Sequence, residues 1–192
     1  MAEIDLKKLS SNYPYSSRWF KVREDVVRKA DGTDTTFYVV ECPESVFIVP
    51  VTADDKVILV KLFRYRTHRG GWEIPAGGVE ENEEPLTAAK RELEEETGYI
   101  ADEIEELAPS FDSMNGVSDG TAHVYVARGL KSLGHDEKDE EGITDTQAFS
   151  QDEIMQMIVA GEIVDGLSLA ALLKYFATAH SVSVKGSNSV VK

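Results

Sequence analysis

"GGVEENEEPLTAAKRELEEETGY", residues 77–99, carries eight glutamates and no aspartate in a stretch with the marks of a loop leading into a helix. Leu86, Ala89 and Leu93 recur at helical spacing, Pro85 suits the first turn and Gly98 the stop, so a helix is expected over Pro85–Thr97. At about 100° per residue, Glu92, Glu95 and Glu96 fall within one arc of about 100°, while Glu94 points elsewhere. Like charges at that spacing repel, so something must compensate them. Arg91, four residues before Glu95, can orient that carboxylate, yet one arginine does not balance three glutamates. Oxygen donors without histidine or thiolate suit hard ions such as Mg²⁺ or Mn²⁺. "PAGG", residues 75–78, is expected to add a glycine turn with exposed carbonyls beside the same helix. The competing reading of an acidic run is a solvated helix face, and it is the better account of Glu80, Glu81, Glu84 and Glu94.

Working outward, strands alternate unevenly with helices. "WFKVREDVVR" and "TFYVVEC" flank the turn signal "KADGTD", which predicts a hairpin. "SVFIVPVT" and "KVILVKLFRYR" read as two further strands, the first apolar enough to be buried on both faces. Later strands are expected around Ile104–Phe111, His123–Ala127 and Ile143–Phe149. Ser150 and Glu153 make a capping box that opens one helix ending near Gly161, and "SLAALLKYFATAH" forms the last. The pattern is that of an α/β or α+β layer fold. Three segments are expected: a strand-rich piece over residues 1–47, the main domain over 48–180 and a polar, disordered tail over 181–192.

Composition narrows the classes. The net charge of −15 argues against a surface that tracks nucleic-acid phosphates, which needs a basic stripe. No apolar run approaches the roughly 20 residues that cross a bilayer, and the amino terminus does not read as a secretory signal, so the expectation is a cytoplasmic protein. Cys42 is the sole cysteine, which rules out an internal disulfide; in the strand-like "YVVEC" it is read as packing rather than as a nucleophile.

Gly77, Glu83, Arg91, Glu92, Leu93, Glu95, Glu96, Gly98 and Tyr99 resemble, position by position, the signature of the Nudix hydrolases. Only Tyr99 departs, standing where a smaller aliphatic is usual. The resemblance implies an α/β/α sandwich with a mixed sheet, Mg²⁺ (Mn²⁺ as an alternative) as cofactor, and hydrolysis of a nucleoside diphosphate linked to another group. It implies Glu92, Glu95 and Glu96 as metal ligands, Arg91 as their orienter, and Glu83 and Gly77 as supports of the loop.

"WEIPAGG" and the "YR" before it resemble the ADP-ribose pyrophosphatase branch of that family, whose reaction would release AMP and ribose 5-phosphate. By that likeness the Ala76 carbonyl joins the metal shell, Glu73 belongs to the substrate site, and Arg64, with Arg66 beside it, contacts substrate. "RWFKV" resembles the extra domain through which these enzymes form homodimers, with Trp19 or Phe20 as a platform for the adenine; an aromatic beside a valine in a strand is otherwise core. The acidic segment resembles a loop that closes on the diphosphate, Glu141 matching its acid best, with Glu140 and Asp139 able to substitute. The base that deprotonates water is then Glu95 or a loop acid. Two positions depart from the branch: Asn115 stands where a proline is common and Leu62 where a glutamine is usual. Alternatives left open are a nucleotide sugar such as GDP-mannose, NADH, or a nucleotide sensor that does not cleave.

Overall fold

The computed structural model describes residues 6–107, 110–114, 116–134 and 142–187, with side chains as far as residue 179. In chain order the elements are β1 (Leu6–Ser16), β2 (Lys21–Lys29), β3 (Asp34–Glu41), β4 (Ser45–Pro50), β5 (Val57–Arg64), a 3₁₀ turn (Tyr65–Thr67), β6 (Arg69–Glu73), β7 (Ala76–Gly78), α1 (Pro85–Thr97), β8 (Tyr99–Glu106), β9 (Phe111–Asp112), β10 (Thr121–Ser132), β11 (Ile143–Phe149), α2 (Gln151–Ala160) and α3 (Gly166–Ser187). Two compact units result: Met1–Glu44 with Phe111–Ala122, and Ser45–Ser110 with His123–Lys192.

In the first unit β1, β2 and β3 form an antiparallel sheet in that order. The β2–β3 hairpin is the expected one. Its turn closes through Lys29 N–H to the Thr33 carbonyl (2.8 Å), with Gly32 at φ 82° and the Asp31 carboxylate accepting from Thr33 N–H (2.9 Å). β1 escapes sequence reading because "LKKLSSNYPYS" has no alternation and contains Pro14. It is an edge strand exposed at every position, where proline is tolerated. Trp19 and Phe20 precede β2 in a bend, and Trp19 is 68% exposed, so neither aromatic is core. Cys42 is likewise exposed beyond β3, with the Ser118 hydroxyl 3.6 Å from its sulfur, which corrects its reading as packing. The segment 111–122 joins this unit by backbone: Val40 N–H donates to the Val117 carbonyl (2.8 Å) and Asp119 N–H to the Val40 carbonyl (3.3 Å). A single cut at residue 47 therefore misses a piece contributed from mid-chain.

In the second unit β4 lies between helices. Val46 and Ile48 pack with Ala88, Ala89 and Leu93 of α1 and with Tyr125 and Ala127 of β10. Period-two alternation turns Phe47 and Val49 to the opposite face, and α3 also packs on β4. The doubly buried strand and its layered setting are as expected, although Leu86 is exposed and Ala88 takes the core position assigned to it. β4 belongs to a sheet of order β7-β4-β10-β8, and β5 to a second of order β11-β5-β6. β8 begins at Tyr99, directly after the left-handed Gly98, not near Ile104. Its edge position allows Asp102, Glu103, Glu105 and Glu106, which dilute the apolar alternation. β11 lies where expected, and α2 opens on the expected capping box, with Glu153 N–H donating to Ser150 Oγ and Ser150 N–H to the Glu153 carboxylate. α3 runs through Ser187, so the expected tail overlaps the helix from residue 181. Among the described residues no helix is long and apolar enough to cross a membrane.

Ile48 is fully buried in this arrangement. Ile48→Ala is expected to destabilise the protein by about 2–5 kcal/mol through lost burial and the cavity left behind, as measured by urea unfolding.

Candidate active site

Because Ala88, Ala89 and Leu93 draw α1 onto β4, the adjoining face of the helix meets β7, the neighbour of β4. That contact buries charge. Glu92 and Glu96 are each only 7% exposed, while Glu95 is half-buried and Glu94 exposed. The carboxylate of Glu92 lies so close to Gly77 that a Cβ there would come within 2.0 Å of it, which only glycine avoids. Glu96 accepts from the backbone N–H of Ala76 at 3.0 Å. The expected glycine turn is in fact strand, Ala76 pairing with Phe47 and Gly77 with Val46. Sheet pairing therefore holds the backbone that the two carboxylates rest on.

Arg91 organises the rest. Its Nε and Nη2 grip both oxygens of Glu83 at 3.1 and 3.0 Å, Nη1 donates to Glu92 at 2.7 Å and Glu95 at 3.0 Å, and Nη2 also reaches the Gly78 carbonyl at 3.0 Å. Glu83 further accepts from Glu80 N–H at 3.0 Å. The Arg91 guanidinium, foremost, and that N–H hold the Glu83 carboxyl below its ordinary value. The arginine's own pKa is raised, first by Glu83 and then by Glu92 and Glu95, against the opposing effect of burial. One cation thus serves three carboxylates, with Glu96 beside them.

The sequence places these acids on one helical face, and the structure brings Glu92 and Glu96 to β7, with Glu92 and Glu95 sharing Arg91 Nη1 and Glu96 on the Ala76 amide. Among the described residues no group of three or more histidine, cysteine, aspartate or glutamate side chains is gathered tightly enough to hold a metal ion. Arg91 offsets the repulsion between Glu92 and Glu95 by donating to both. The donor chemistry nevertheless fits a hard divalent cation: all oxygen, two carboxylates nearly buried, and too little positive charge for the acids present.

Arg64, opposite Arg69 in the β5–β6 pair, reaches along the hairpin to Glu73, which lies opposite Val60, in hydrogen bonds of 3.2 and 2.6 Å, with Glu73 6% exposed. Glu73 raises the arginine's pKa most, and the charges of Asp165 and Glu96 add to it. Arg64 thus lies within electrostatic reach of the α1 carboxylates. Asp165 was not foreseen. It stands just before α3, accepts from Ser168 N–H at 2.7 Å, and Ser168 Oγ in turn accepts from Ile74 N–H at 3.3 Å, tying the β6–β7 corner to that helix. An aspartate just before "GLSLAALL" is the capping signal that could have found it. Arg66 is exposed on the 3₁₀ turn. Trp19 and Phe20, in the N-terminal unit, line a cavity of about 240 Å³ with Lys21, Glu41 and Cys42, and the Arg18 guanidinium lies 4.3 Å from the Trp19 ring centre. Glu140, Glu141 and Asp139, like Asn115, fall outside the described residues.

The Glu83–Arg91 grip has a pH signature. A carboxyl held below its unfolded value adds stability that is complete above that value and is lost as pH falls through the lowered folded one. Glu83→Gln is therefore expected to lower Tm at pH 7, and its deficit against the parent protein to shrink below a pH of about 4.5, in thermal melts taken across an acid series. Gly77→Ala is expected to cost more than the few tenths of a kcal/mol typical of a surface substitution, by displacing the Glu92 carboxylate.

Residues 43–166 match the NUDIX domain model, and residues 6–40 match the model of the nucleoside diphosphate sugar hydrolase N-terminal domain. The methanol dehydrogenase activator of Bacillus methanolicus is 33% identical over 86% of this chain and 90% of its own length. An ADP-ribose pyrophosphatase of Mycobacterium tuberculosis is 35% identical over 90% of this chain and 84% of its own. The crystal structure of an ADP compounds hydrolase superposes with a TM-score of 0.80 at 20% identity, covering 99% of this chain and 100% of that one, and so shares the fold. With the signature helix seated on its glycine strand and a family match across most of the sequence, the chain belongs to the Nudix hydrolases.

Proposed function

We propose that this hydrolase cleaves the diphosphate of ADP-ribose, releasing AMP and ribose 5-phosphate, with Mg²⁺ as cofactor and Mn²⁺ able to replace it. The observation that carries the reading is the α1–β7 contact, which holds Glu92 and Glu96 nearly buried beside Glu95 and Arg91. The likeness to an ADP-ribose pyrophosphatase over nine-tenths of the chain supports the substrate.

In this reading Glu92, Glu95, Glu96 and the Ala76 carbonyl hold the metal. Held there, the ion would supply neutralisation of phosphate charge and a lowered pKa for water. Arg91 keeps Glu92 and Glu95 oriented, since Nη1 bonds both, and Glu83 keeps Arg91 in place. Glu95, the least buried of the three, is our choice to take the proton from water, with Glu141 and then Glu140 as the rival bases and ligands. Arg64, released from Glu73, pairs with the diphosphate as a planar fork; Arg66 adds charge on the same turn. Trp19 or Phe20 stacks on the adenine from the N-terminal unit, through which two copies form a homodimer. The enzyme works in the cytoplasm on a small molecule and not on nucleic acid or a membrane.

A nucleotide-sugar substrate is the second reading, favoured by the match of residues 6–40 to a nucleoside diphosphate sugar hydrolase N-terminal domain and by Leu62 and Asn115. Released nucleotide and phosphate, assayed over ADP-ribose, GDP-mannose and NADH with Mg²⁺ or Mn²⁺, separate the two. Glu96→Gln is expected to lower turnover by two or more orders of magnitude with an unchanged fold by circular dichroism, because it removes a charge the reaction needs. Turnover equal to that of the parent protein would sink the metal role. Glu141→Gln and Glu95→Gln, compared in pH–rate profiles, identify the base: the variant that abolishes the acid limb of the profile names it.

A further inference from the structure

The corner between β6 and β7, Ile74 and Pro75, is held by side chains of two helices. Proline has no N–H, so the donors on either side of Pro75 are those of Ile74 and Ala76. Ile74 N–H donates to the Ser168 hydroxyl of α3 at 3.3 Å, and Ala76 N–H to the Glu96 carboxylate of α1 at 3.0 Å. Between them the Pro75 carbonyl accepts from Ile48 N–H of β4 at 2.9 Å. Three separate elements therefore fix the corner, each by one bond.

Ser168 stands where a further strand would offer a carbonyl. β6 is an edge strand, and its Trp72 N–H donates to the Glu162 carbonyl at 2.9 Å; two residues on, the Ser168 hydroxyl takes the same part for Ile74. Ser168 is 0% exposed and Ile74 1%, which keeps competing water from the bond. Ser168 is itself held, since its N–H donates to Asp165 Oδ2 at 2.7 Å in the manner of a helix cap. Alanine at this position would favour the helix more; what serine adds is an acceptor for Ile74.

The corner serves both halves of the site. Glu73, the residue before Ile74, holds Arg64, and Ala76, the residue after Pro75, holds Glu96. Loss of the hydroxyl leaves a buried N–H unpaired, and the corner relieves that cost by moving. With φ of Pro75 fixed by its ring, little of the movement is absorbed before Ala76.

We propose that Ser168 is a positioning residue for the carboxylate site: its hydroxyl sets the corner from which Ala76 holds Glu96, so the affinity for a divalent cation depends on a side chain remote from every proposed ligand. The inference rests on the metal assignment of the hydrolase reading and deepens it.

Two measurements on the full chain test it. Without metal, the hydrogen-exchange protection of the Ala76 amide, taken relative to that of Leu93 inside α1, is expected to fall on the order of tenfold in Ser168→Ala. Leu172→Val, which shortens a fully buried side chain one turn further along α3 and keeps the hydroxyl, is expected to leave that ratio unchanged. With Mn²⁺ as the probe, and free ion counted by electron paramagnetic resonance, Ser168→Ala is expected to weaken binding about tenfold, as loss of a group that orients metal ligands does, and Leu172→Val to leave it in place. Protection at Ala76 that survives Ser168→Ala, or that falls equally in Leu172→Val, overturns the positioning role. So does Mn²⁺ affinity that is lowered by Glu96→Gln and untouched by Ser168→Ala. Mn²⁺ affinity unchanged by Glu96→Gln itself refutes the metal reading instead, and the hold of Ser168 on Glu96 is then decided by the Ala76 amide alone.

Discussion

The guanidinium of Arg91 is the interaction on which the rest of the site depends. Three carboxylates and a backbone carbonyl share its donors, and two of those acids lie on the same helix face where, without a cation between them, they would repel. A guanidinium suits this position because its donors lie in a fixed plane: Nε and Nη2 close on both oxygens of Glu83 while Nη1 is left to bridge Glu92 and Glu95. Lysine offers a point charge and could not hold three acids in a set relation.

A second constraint comes from the backbone. Glu92 is nearly buried because β7 approaches α1 more closely than any side chain at residue 77 would allow. β7 stays in place because it pairs with β4, and β4 because α1 and α3 cover it. Charge burial at the site is therefore underwritten by the apolar packing of Ile48, Ala89 and Leu93, an ordinary hydrophobic core holding a cluster that electrostatics alone would disperse. The corner from β6 to β7 is pinned from the other side by Ser168 of α3, so α3 acts on the site at one remove.

The acidic helix was legible in the sequence because its information is local. Spacing along Pro85–Thr97 dictates which acids share a face, Pro85 and Gly98 mark its ends, and Ser150 with Glu153 marks the next helix. β4 and β11 were legible because buried strands carry apolar runs. β1 was not, because it is an edge strand exposed at every position, and the start of β8 was missed because, at the sheet edge, only Ala101 and Ile104 pack on the core between acidic residues. Trp19, Phe20 and Cys42 sit beside valines in the sequence and read as core, yet a bend before β2 and the end of β3 leave all three exposed.

What the sequence by itself determined is the identity and order of the candidate-site residues, since Gly77, Glu83, Arg91, Glu92, Glu95 and Glu96 stand within twenty residues and the relation of those on the helix follows from its geometry. What only the tertiary structure decided is where their partners come from. The burial of Glu92 against β7, the Arg64–Glu73 pair and the mid-chain segment 111–122 that joins the N-terminal sheet all depend on chain folding that brings distant or oppositely directed residues together. Local spacing sets which side chains share a face; long-range packing sets what that face meets, and no period in the sequence encodes it.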